Sequence, residues 1–469
     1  MTQNQIDLIN HPNIGEGSTG TDAREAQQVL SVQKDHLCLT NNLMLEVASK
    51  QNLKQAFKAV KRNKGAAGVD RVSIQEFAKH LDTHIKTIQQ QLLSHEYQPD
   101  DVRGVSIPKP QGGARQLGIP TVKDRIVQQA IAQVLTPLID PMFSDHSYGF
   151  RPNRSAKQAV LAAKCFVADG RNWVVDIDLE KFFDKVNHDV LMGLLAKHIQ
   201  DKALLKLIRA FLTSGMMQNG IRMRRDEGTP QGGPLSPLLA NIMLHVLDVE
   251  LEKRGHTFCR YADDCNIYVK SEVAARRVLK SITKFIEKRL RLKVNRDKSA
   301  AEKIAQRKFL GFTILNDGTI TVATCSIQRI MNKVREKTSR NRPISLTQMV
   351  REINSLMVGW FHYYKIADTI SLFRGLDAWI RRRLRCFRIK QRKRKYSIKT
   401  FLSRQGINHK EGWSLAKSDK GWWRMSLNPV AHKAMSNTWF EKMGFKALLH
   451  LFVQYRSETA VCDIARTVV

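Results

Sequence analysis

The chain has 469 residues, of which 42% are hydrophobic; this suits a folded protein of roughly two to four domains with a buried core. Lysine and arginine number 77 against 43 aspartate and glutamate residues, so the formal net charge is +34. Such an excess favours polyanionic partners. No apolar run approaches the roughly 18 residues needed to span a bilayer, and the N-terminus lacks a secretory signal pattern. We therefore exclude a membrane-spanning protein and expect a nucleic-acid partner.

The 7 cysteines are widely scattered, and none forms a Cys-x-x-Cys pair. This distribution fits neither a disulfide framework nor a zinc site. It favours a reducing compartment, so we predict a cytoplasmic, bacterial-type location.

The predicted elements begin after a loose leader at residues 1–44, which is rich in polar residues and glycine without periodicity. A helical pattern starts at about residue 45, two short strands flank a turn within residues 102–120, and a helix covers residues 121–135. Helices outnumber strands, and the composition turns basic after about residue 325. We predict an α+β fold whose C-terminal third is helical and basic.

Residues 173–179 predict a strand. Alternation places Asp176 and Asp178 on one face of it, with Glu180 following in the same register. Carboxylates on one strand face repel one another, and Mg²⁺, which prefers oxygen ligands, would relieve that repulsion. A solvated strand face explains this pattern equally well, so the strand alone does not establish a metal site.

Residues 258–269 predict two strands joined by a tight turn that carries Asp263 and Asp264. Adjacent aspartates are poor turn formers here, because no glycine follows them to adopt a positive φ. Apolar arms that end in two carboxylates favour presentation of those carboxylates to a metal ion. A solvated turn is the alternative.

The tetrapeptide at 261–264, Tyr-Ala-Asp-Asp, resembles the central signature of reverse transcriptases. Further blocks resemble the group II intron-encoded branch of that family, and they occur in order at residues 63–70, 115–125, 147–152, 178–184, 228–237, 292–299, 309–312 and 359–364. Gln116 departs from the family, which usually has proline there, but the replaced residue carries no charge. Because an ordered series is far more specific than one motif, the chain is identified as a member of this branch.

The resemblance implies a right-hand polymerase. Fingers and an antiparallel-sheet palm would occupy residues 45–325, an α-helical thumb or maturase region 326–395, and a small basic DNA-binding region 396–469. It also implies that Asp178, Asp263 and Asp264 bind two Mg²⁺ ions and that Lys298 protonates the departing pyrophosphate. Asp176 is a weaker candidate ligand, because the family spacing to Phe183 favours Asp178.

The same resemblance assigns the nucleotide-binding residues. Lys109 and Arg115 would close over the dNTP triphosphate, the ring of Phe183 would exclude a 2′-hydroxyl, and Gln231 would contact the nascent base pair. Phe182 is expected to be a core residue. The primer grip would consist of Phe309, Leu310 and Gly311.

Ten of the fifteen residues at 381–395 are basic, a density that repels itself unless phosphates neutralise it. Such contacts give salt-dependent binding with little sequence specificity. The predicted nucleic-acid contacts are Arg381, Arg382, Arg383, Arg385, Arg388, Lys390, Arg392, Lys393, Arg394 and Lys395.

The expected function is an RNA-directed DNA polymerase that extends a primer on group II intron RNA and binds that RNA to assist splicing and retromobility. Its partners would be the intron RNA, a DNA target or primer and dNTPs, in a nucleoid or ribonucleoprotein assembly; the sequence leaves the oligomeric state open. Two alternatives stay open, a non-catalytic maturase and an intron-independent defence or diversity-generating reverse transcriptase. The retained carboxylates disfavour the first, and the thumb block and basic tail disfavour the second. Because no endonuclease-type Cys pairs or His-Asn clusters follow, we expect no cleavage of its own target.

Overall fold

The computed structural model describes residues 42–108, 114–218 and 221–467 and confirms the α+β class. The helices are α1 (Leu43–Val47), α2 (Lys50–Arg62), α3 (Ile74–Lys79), α4 (Leu81–Leu93), α5 (Val122–Ile139), α6 (Ala156–Ala168), α7 (Phe182–Lys185), α8 (His188–Leu195), α9 (Lys202–Thr213), α10 (Ser236–Lys253), α11 (Glu272–Phe285), α12 (Thr324–Lys337), α13 (Leu346–Tyr364), α14 (Ile370–Arg392), α15 (Lys395–Arg404), α16 (His409–Ala416), α17 (Trp422–Met425), α18 (Pro429–Ala434), α19 (Asn437–Lys442) and α20 (Leu448–Thr467). The strands are β1 (Val102–Pro108), β2 (Ala114–Ile119), β3 (Trp173–Ile177), β4 (Met216–Gln218), β5 (Ile221–Met223), β6 (Thr257–Tyr261), β7 (Asp264–Val269), β8 (Ala300–Lys303), β9 (Phe312–Ile314) and β10 (Ile320–Val322). A π-helical turn, Ile286–Leu290, continues α11.

The chain forms two compact units. The first unit contains the described residues up to Ser144 together with Lys181–His245, and the second contains Asp145–Glu180 and the described residues from Val246 onward. The leader predicted at residues 1–44 lies almost wholly outside the described residues, and helix α1 begins at Leu43. Along the described stretches, no helix is both long and apolar enough to cross a bilayer.

The first unit contains a four-stranded sheet in the order β2-β1-β4-β5. Strands β1 and β2 pair in antiparallel fashion, so the two strands predicted around residues 102–120 are confirmed. Helix α5 begins after Thr121, whose side chain accepts a hydrogen bond from the N–H of Asp124. This cap satisfies one of the donors that a helix start leaves unpaired, and it explains the predicted helix start.

A buried polar network fixes the start of α5. The carboxylate of Asp124 accepts hydrogen bonds from Tyr97 Oη at 2.8 Å, from Thr121 Oγ1 at 2.7 Å and from the N–H of Asp100 at 3.1 Å. Burial raises the pKa of Asp124 to about 6, while the two hydroxyl donors oppose that rise by stabilising the ionised form. Because the folded pKa exceeds the ordinary value of 3.8, the folded state binds more protons within this window. The contribution of Asp124 to stability therefore falls as pH rises from about 4 to about 6.

We expect Tyr97→Phe to lower the free energy of unfolding by about 1–2 kcal/mol at pH values well above 6, because the ionised carboxylate loses a buried donor. The loss should shrink as the pH falls below 6, where Asp124 becomes protonated. Urea unfolding at several pH values measures both effects. Tyr396→Phe is the matched control, because Tyr396 is 69% exposed; equal losses in the two variants would contradict the role of the network.

The second unit contains the predicted palm sheet, an antiparallel sheet in the order β6-β7-β3-β8. Strand β3 is central and pairs with β7 on one side and β8 on the other. Its apolar residues Val174, Val175 and Ile177 are buried. Burial of these side chains holds β3 in register, and Asp178 follows directly at its end.

Helices α12 to α20 belong to the same unit and share one hydrophobic cluster, which runs from Ile330 to Phe452. The domain boundary predicted at residue 395 falls at the first residue of α15, just after α14 ends. Both helices contribute to the cluster, through Phe387 from the first and Phe401 from the second. The helical character predicted after residue 326 is therefore confirmed, and the basic region packs on the same core as the helices before it.

Candidate active site

The predicted aspartate hairpin is present in the second unit. Strands β6 and β7 pair Tyr261 with Asp264, so Ala262 and Asp263 form a two-residue turn. The positive φ that such a turn requires is adopted by Ala262, at +57°, and not by a residue after the aspartates. The turn therefore places Asp263 at its tip and Asp264 at the first position of β7.

A buried ion pair supports this hairpin from within. Arg260 donates from Nε to Asp248 Oδ1 at 2.7 Å and from a terminal nitrogen to Asp248 Oδ2 at 2.6 Å, and both side chains are 0% exposed. The guanidinium also donates to the carbonyl of Ala262 at 3.0 Å and to Ser147 Oγ at 2.7 Å. One arginine thus connects helix α10, the segment around Ser147 and the turn that carries Asp263.

The 147–152 block packs against the same turn. Tyr148 donates its N–H to the carbonyl of Arg260 at 2.8 Å. A Cβ atom on Gly149 would lie 2.2 Å from the backbone nitrogen of Ala262, so only glycine permits this close approach. The block that the sequence identified by resemblance alone therefore has a structural role in positioning the hairpin.

Asp178 is fixed through its backbone. Its N–H donates to Ser299 Oγ at 2.9 Å, and its carbonyl accepts from the N–H of Asn295 at 2.8 Å. Lys298, from the same block, lies with Nζ 3.6 Å from Asp178 Oδ2 and is 58% exposed. The 292–299 block therefore holds the strand end, and its lysine forms an exposed ion pair with Asp178.

The carboxylates act on one another electrostatically. Desolvation by the surrounding protein, followed by repulsion from Asp263, Asp176 and Asp178, raises the pKa of Asp264 to about 6. Burial raises the pKa of Asp176 to about 6 as well, opposed by Arg307, whose guanidinium lies 3.8 Å from its carboxylate. The acidic groups of β3 and of the hairpin are thus close enough to disfavour one another's ionisation.

This donor set fits Mg²⁺ in its chemistry, because all the candidate ligands are carboxylate oxygens and a divalent cation would relieve their repulsion. Within the described ranges, no three acidic, histidine or cysteine side chains converge into a ready-made metal cage. Mg²⁺ commonly uses one or two carboxylates and completes its coordination with water and substrate phosphates. An open arrangement of Asp178, Asp263 and Asp264 is compatible with this coordination of Mg²⁺ by few carboxylates.

Two of the predicted nucleotide-binding residues, Phe183 and Gln231, lie in the first unit. Phe182 is buried, at 2% exposure, as expected for a core residue, whereas Phe183 is half-buried and packs edge-on against it. The carbonyl of Phe183 accepts a hydrogen bond from the N–H of Thr229 at 2.6 Å. Gln231 donates to Asp184 Oδ1 at 3.3 Å, and its carbonyl accepts from Gly118. Phe183 therefore contacts the 228–237 segment, which also carries Gln231.

Of the two predicted triphosphate-binding residues, the structure describes Arg115, which lies in strand β2 of the β1–β2 hairpin. Arg115 pairs with Ile107 in that ladder. Lys109 lies outside the described residues.

The predicted primer grip is a tight turn in the second unit. Phe309 and Phe312 exchange backbone hydrogen bonds of 2.8 and 2.9 Å, and both Leu310, at φ +51°, and Gly311, at +83°, adopt left-handed conformations. Tyr363 of α13 donates its hydroxyl to the carbonyl of Leu310 at 2.9 Å. The aromatic block at 359–364 thus anchors the grip, a contact that the sequence did not indicate.

The basic run at 381–395 is only partly available to a ligand. Arg385 is 4% exposed and donates to the carbonyl of Met435 at 3.0 Å, so its predicted contact with nucleic acid is wrong in this arrangement. Its guanidinium packs in the helical core because the methylene stem buries apolar area while the head finds a carbonyl acceptor. Arg382 lies over the ring of Trp423, with Cζ 3.8 Å from the ring centroid. Several of these arginines therefore connect helices.

Sequence reasoning missed three positioning residues, namely Arg260, Asp248 and Arg307. One signal was available for the first of them. A charged residue within an apolar strand that is buried on both faces requires a partner of opposite charge, and Arg260 directly precedes the Tyr-Ala-Asp-Asp block. Its partner, Asp248, lies in α10 with no sequence feature that distinguishes it.

Two family models match successive segments of the chain. Residues 107–314 match the family model "Reverse transcriptase (RNA-dependent DNA polymerase)", and residues 327–406 match "Group II intron, maturase-specific domain". Among solved structures, a chain of the "Partial Cas6-RT-Cas1--Cas2 complex" is 27% identical with a TM-score of 0.35, covering 52% of this chain and 42% of that chain.

Two curated relatives define the relationship further. Protein YkfC of Escherichia coli strain K12 is 31% identical over 343 residues, which cover 64% of this chain and 89% of YkfC. Group II intron-encoded protein LtrA of Lactococcus lactis subsp. cremoris is 42% identical over 165 residues, which cover 35% of this chain and only 27% of LtrA. The polymerase model and the maturase-specific model match one after the other along this chain, and YkfC and LtrA are its relatives. The chain therefore belongs to the group II intron-encoded reverse transcriptase/maturase family.

Proposed function

We propose that the protein is an active RNA-directed DNA polymerase that extends a primer on group II intron RNA and also binds that RNA to assist splicing and mobility. The observation that carries the proposal is the acidic centre of the second unit. There the Ala262-Asp263 turn and the end of β3 bring carboxylates into electrostatic contact. A chain that only stabilised folded RNA would have no need of repelling carboxylates supported by a buried ion pair.

Each residue group has a physical task under this proposal. Asp178, Asp263 and Asp264 would hold two Mg²⁺ ions, which supply charge stabilisation for attack of the primer hydroxyl on the dNTP. Lys298 forms an exposed ion pair with Asp178 in the structure, and we propose that it also protonates the departing pyrophosphate. Gln231 would contact the nascent base pair. The turn at Leu310 would hold the primer strand, since α13 fixes its backbone.

We also propose an intracellular, ribonucleoprotein-associated location for this activity. Five cysteines are free thiols, which suits a reducing compartment; they are Cys165, Cys259, Cys265, Cys325 and Cys386. The net charge of +34 suits continuous association with nucleic acid.

Primer extension by the wild-type chain tests the proposal. An RNA template with an annealed DNA primer is incubated with dNTPs or rNTPs, in Mg²⁺ or in EDTA. Mg²⁺-dependent DNA synthesis is the expected result. A folded chain that binds structured RNA tightly but makes no product would support a maturase without polymerase activity.

Phe183→Val is expected to raise the efficiency of rNTP incorporation relative to dNTP incorporation by about tenfold or more, because a smaller side chain leaves room for a 2′-hydroxyl. The ratio of kcat/KM values for a matched rNTP and dNTP measures the effect. Phe182→Leu is the control, because Phe182 is buried beside Phe183 and its truncation should reduce stability while leaving sugar selection unchanged. Unchanged selectivity in Phe183→Val would remove the proposed role of that ring.

A further inference from the structure

A pocket of about 400 Å³ lies in the second unit, where the start of α13 faces the last turn of α14. It is lined by Ser345, Leu346 and Thr347 from the first helix, by Arg388, Gln391 and Arg392 from the second, and by Met443. The two arginines and the glutamine are spaced three and four residues apart, so they share one helix face. The pocket is therefore bounded by cationic and polar groups from two helices.

The two arginines of this pocket stack on one aromatic ring. Arg388 and Arg392 both lie over Phe401 of α15, with Cζ atoms 4.9 and 5.0 Å from the ring centroid. The Nε atoms of both are buried without a hydrogen-bond partner. Stacking of this kind orients a guanidinium at little cost in side-chain entropy, which favours bidentate binding of an anion.

No carboxylate of the described residues forms an ion pair with Arg388 or Arg392, unlike Arg342, which pairs with Glu352 at 2.9 Å. Burial, and after it the charge of Arg392, lowers the pKa of Arg388. Two like charges that lack a protein counter-ion leave the pocket electrostatically incomplete. A ligand anion would complete it.

The start of α13 adds donors to the same pocket. Ser345 caps the helix by accepting the N–H of Gln348 at 3.1 Å, and Ser345 also provides the first intrahelical acceptor, for the N–H of Met349. The N–H groups of Leu346 and Thr347 precede that first bond, so they have no intrahelical partner. They lie at the positive end of a 19-residue helix.

We propose that this pocket binds a backbone phosphate of structured RNA. Two stacked guanidiniums and the helix start supply the donors that a phosphate with several acceptor oxygens requires. Gln391 positions this site, because its amide nitrogen donates to the Ile344 carbonyl at 2.8 Å and its amide oxygen accepts from Arg388 at 3.4 Å. The choice of RNA rests on the proposed function. Of the basic run, the site uses Arg388 and Arg392, which face the pocket, and not the buried Arg385.

Thr347→Glu tests the pocket without loss of fold. A carboxylate in the first turn of a helix is favourable, so thermal stability should be unchanged or higher. The same carboxylate would occupy the pocket and repel a phosphate. Gln348→Glu is the matched control, because it adds the same charge one residue further along, at an exposed position that does not line the pocket.

The measurement is equilibrium binding of a fluorescently labelled RNA hairpin by the full chain at KCl concentrations from about 50 to about 200 mM. Thr347→Glu and the double variant Arg388→Gln/Arg392→Gln should each bind about tenfold more weakly than wild type. The double variant should also lose about 0.7–0.9 in the slope of log K against log salt for each lost phosphate contact. Arg374→Gln/Arg404→Gln, which removes two exposed charges elsewhere on these helices, is its control.

Binding by the pocket variants that equals binding by their controls would overturn the site. A loss confined to a DNA hairpin of the same sequence would overturn the assignment to RNA. Wild-type primer extension decides the proposed polymerase separately, so failure of one proposal is distinguishable from failure of the other.

Discussion

Replacing Asp178 by asparagine is expected to reduce the rate of primer extension by about 10³-fold or more. A metal-held carboxylate contributes several kcal/mol of transition-state stabilisation, and every 1.4 kcal/mol or so corresponds to tenfold in rate. Asp263→Ala should have a similar effect, because Asp263 occupies the tip of the hairpin. RNA binding should stay within a few-fold of wild type, since each change removes a negative charge from a nucleic-acid-binding surface.

Asp176→Asn is the matched control for this prediction. Asp176 shares a strand face with Asp178 and carries the same charge, but the structure pairs it with Arg307. We expect its loss to reduce activity by less than about tenfold, a change of under about 1.4 kcal/mol. Equal losses of activity and RNA binding in Asp178→Asn would indicate a folding defect, and full activity in that variant would contradict the assignment of the metal site.

Asp248→Ala is expected to lower the free energy of unfolding by about 3–5 kcal/mol, because it leaves the Arg260 guanidinium buried without its counter-ion. Both side chains are 0% exposed, so solvent cannot compensate. The double variant Arg260→Met/Asp248→Leu should recover most of that stability, since replacing both partners by apolar groups removes the unpaired charge. Urea unfolding midpoints at constant m value measure both effects.

The exposed pair Arg276–Glu272 on α11 provides the control for this prediction. Glu272→Ala should cost less than about 1 kcal/mol, as surface ion pairs generally do. The Arg260→Met/Asp248→Leu variant should remain slow in primer extension even when stable, because the hydrogen bond from Arg260 to the Ala262 carbonyl is lost. Wild-type activity in that variant would show that the ion pair supports folding alone.

The sequence of this protein carries two kinds of information, namely local patterns of apolar residues and resemblance to a family. Two local patterns predicted the strands that carry the acidic residues: the alternation of apolar residues at 173–179 and the β-forming segments on either side of Asp263. Such patterns are visible in a sequence because every second side chain of a strand lies on the same face. The same holds for helix α5 and its cap at Thr121. The roles of Phe183, Gln231 and the primer grip came from resemblance to a family.

Tertiary structure decided which basic side chains are buried in the fold and which are accessible to a ligand. By sequence alone, Arg385 and Arg388 are equivalent members of one basic run, yet the first is buried against the Met435 carbonyl and the second faces a pocket. Arg260 and Asp248 are 12 residues apart and meet because a helix and a strand pack together. Burial and counter-ions depend on contacts between distant segments, and local periodicity does not encode them. The sequence by itself therefore determined the elements, the family and the acidic centre of this protein, while its packing determined which basic residues hold the fold and which are left to bind phosphate.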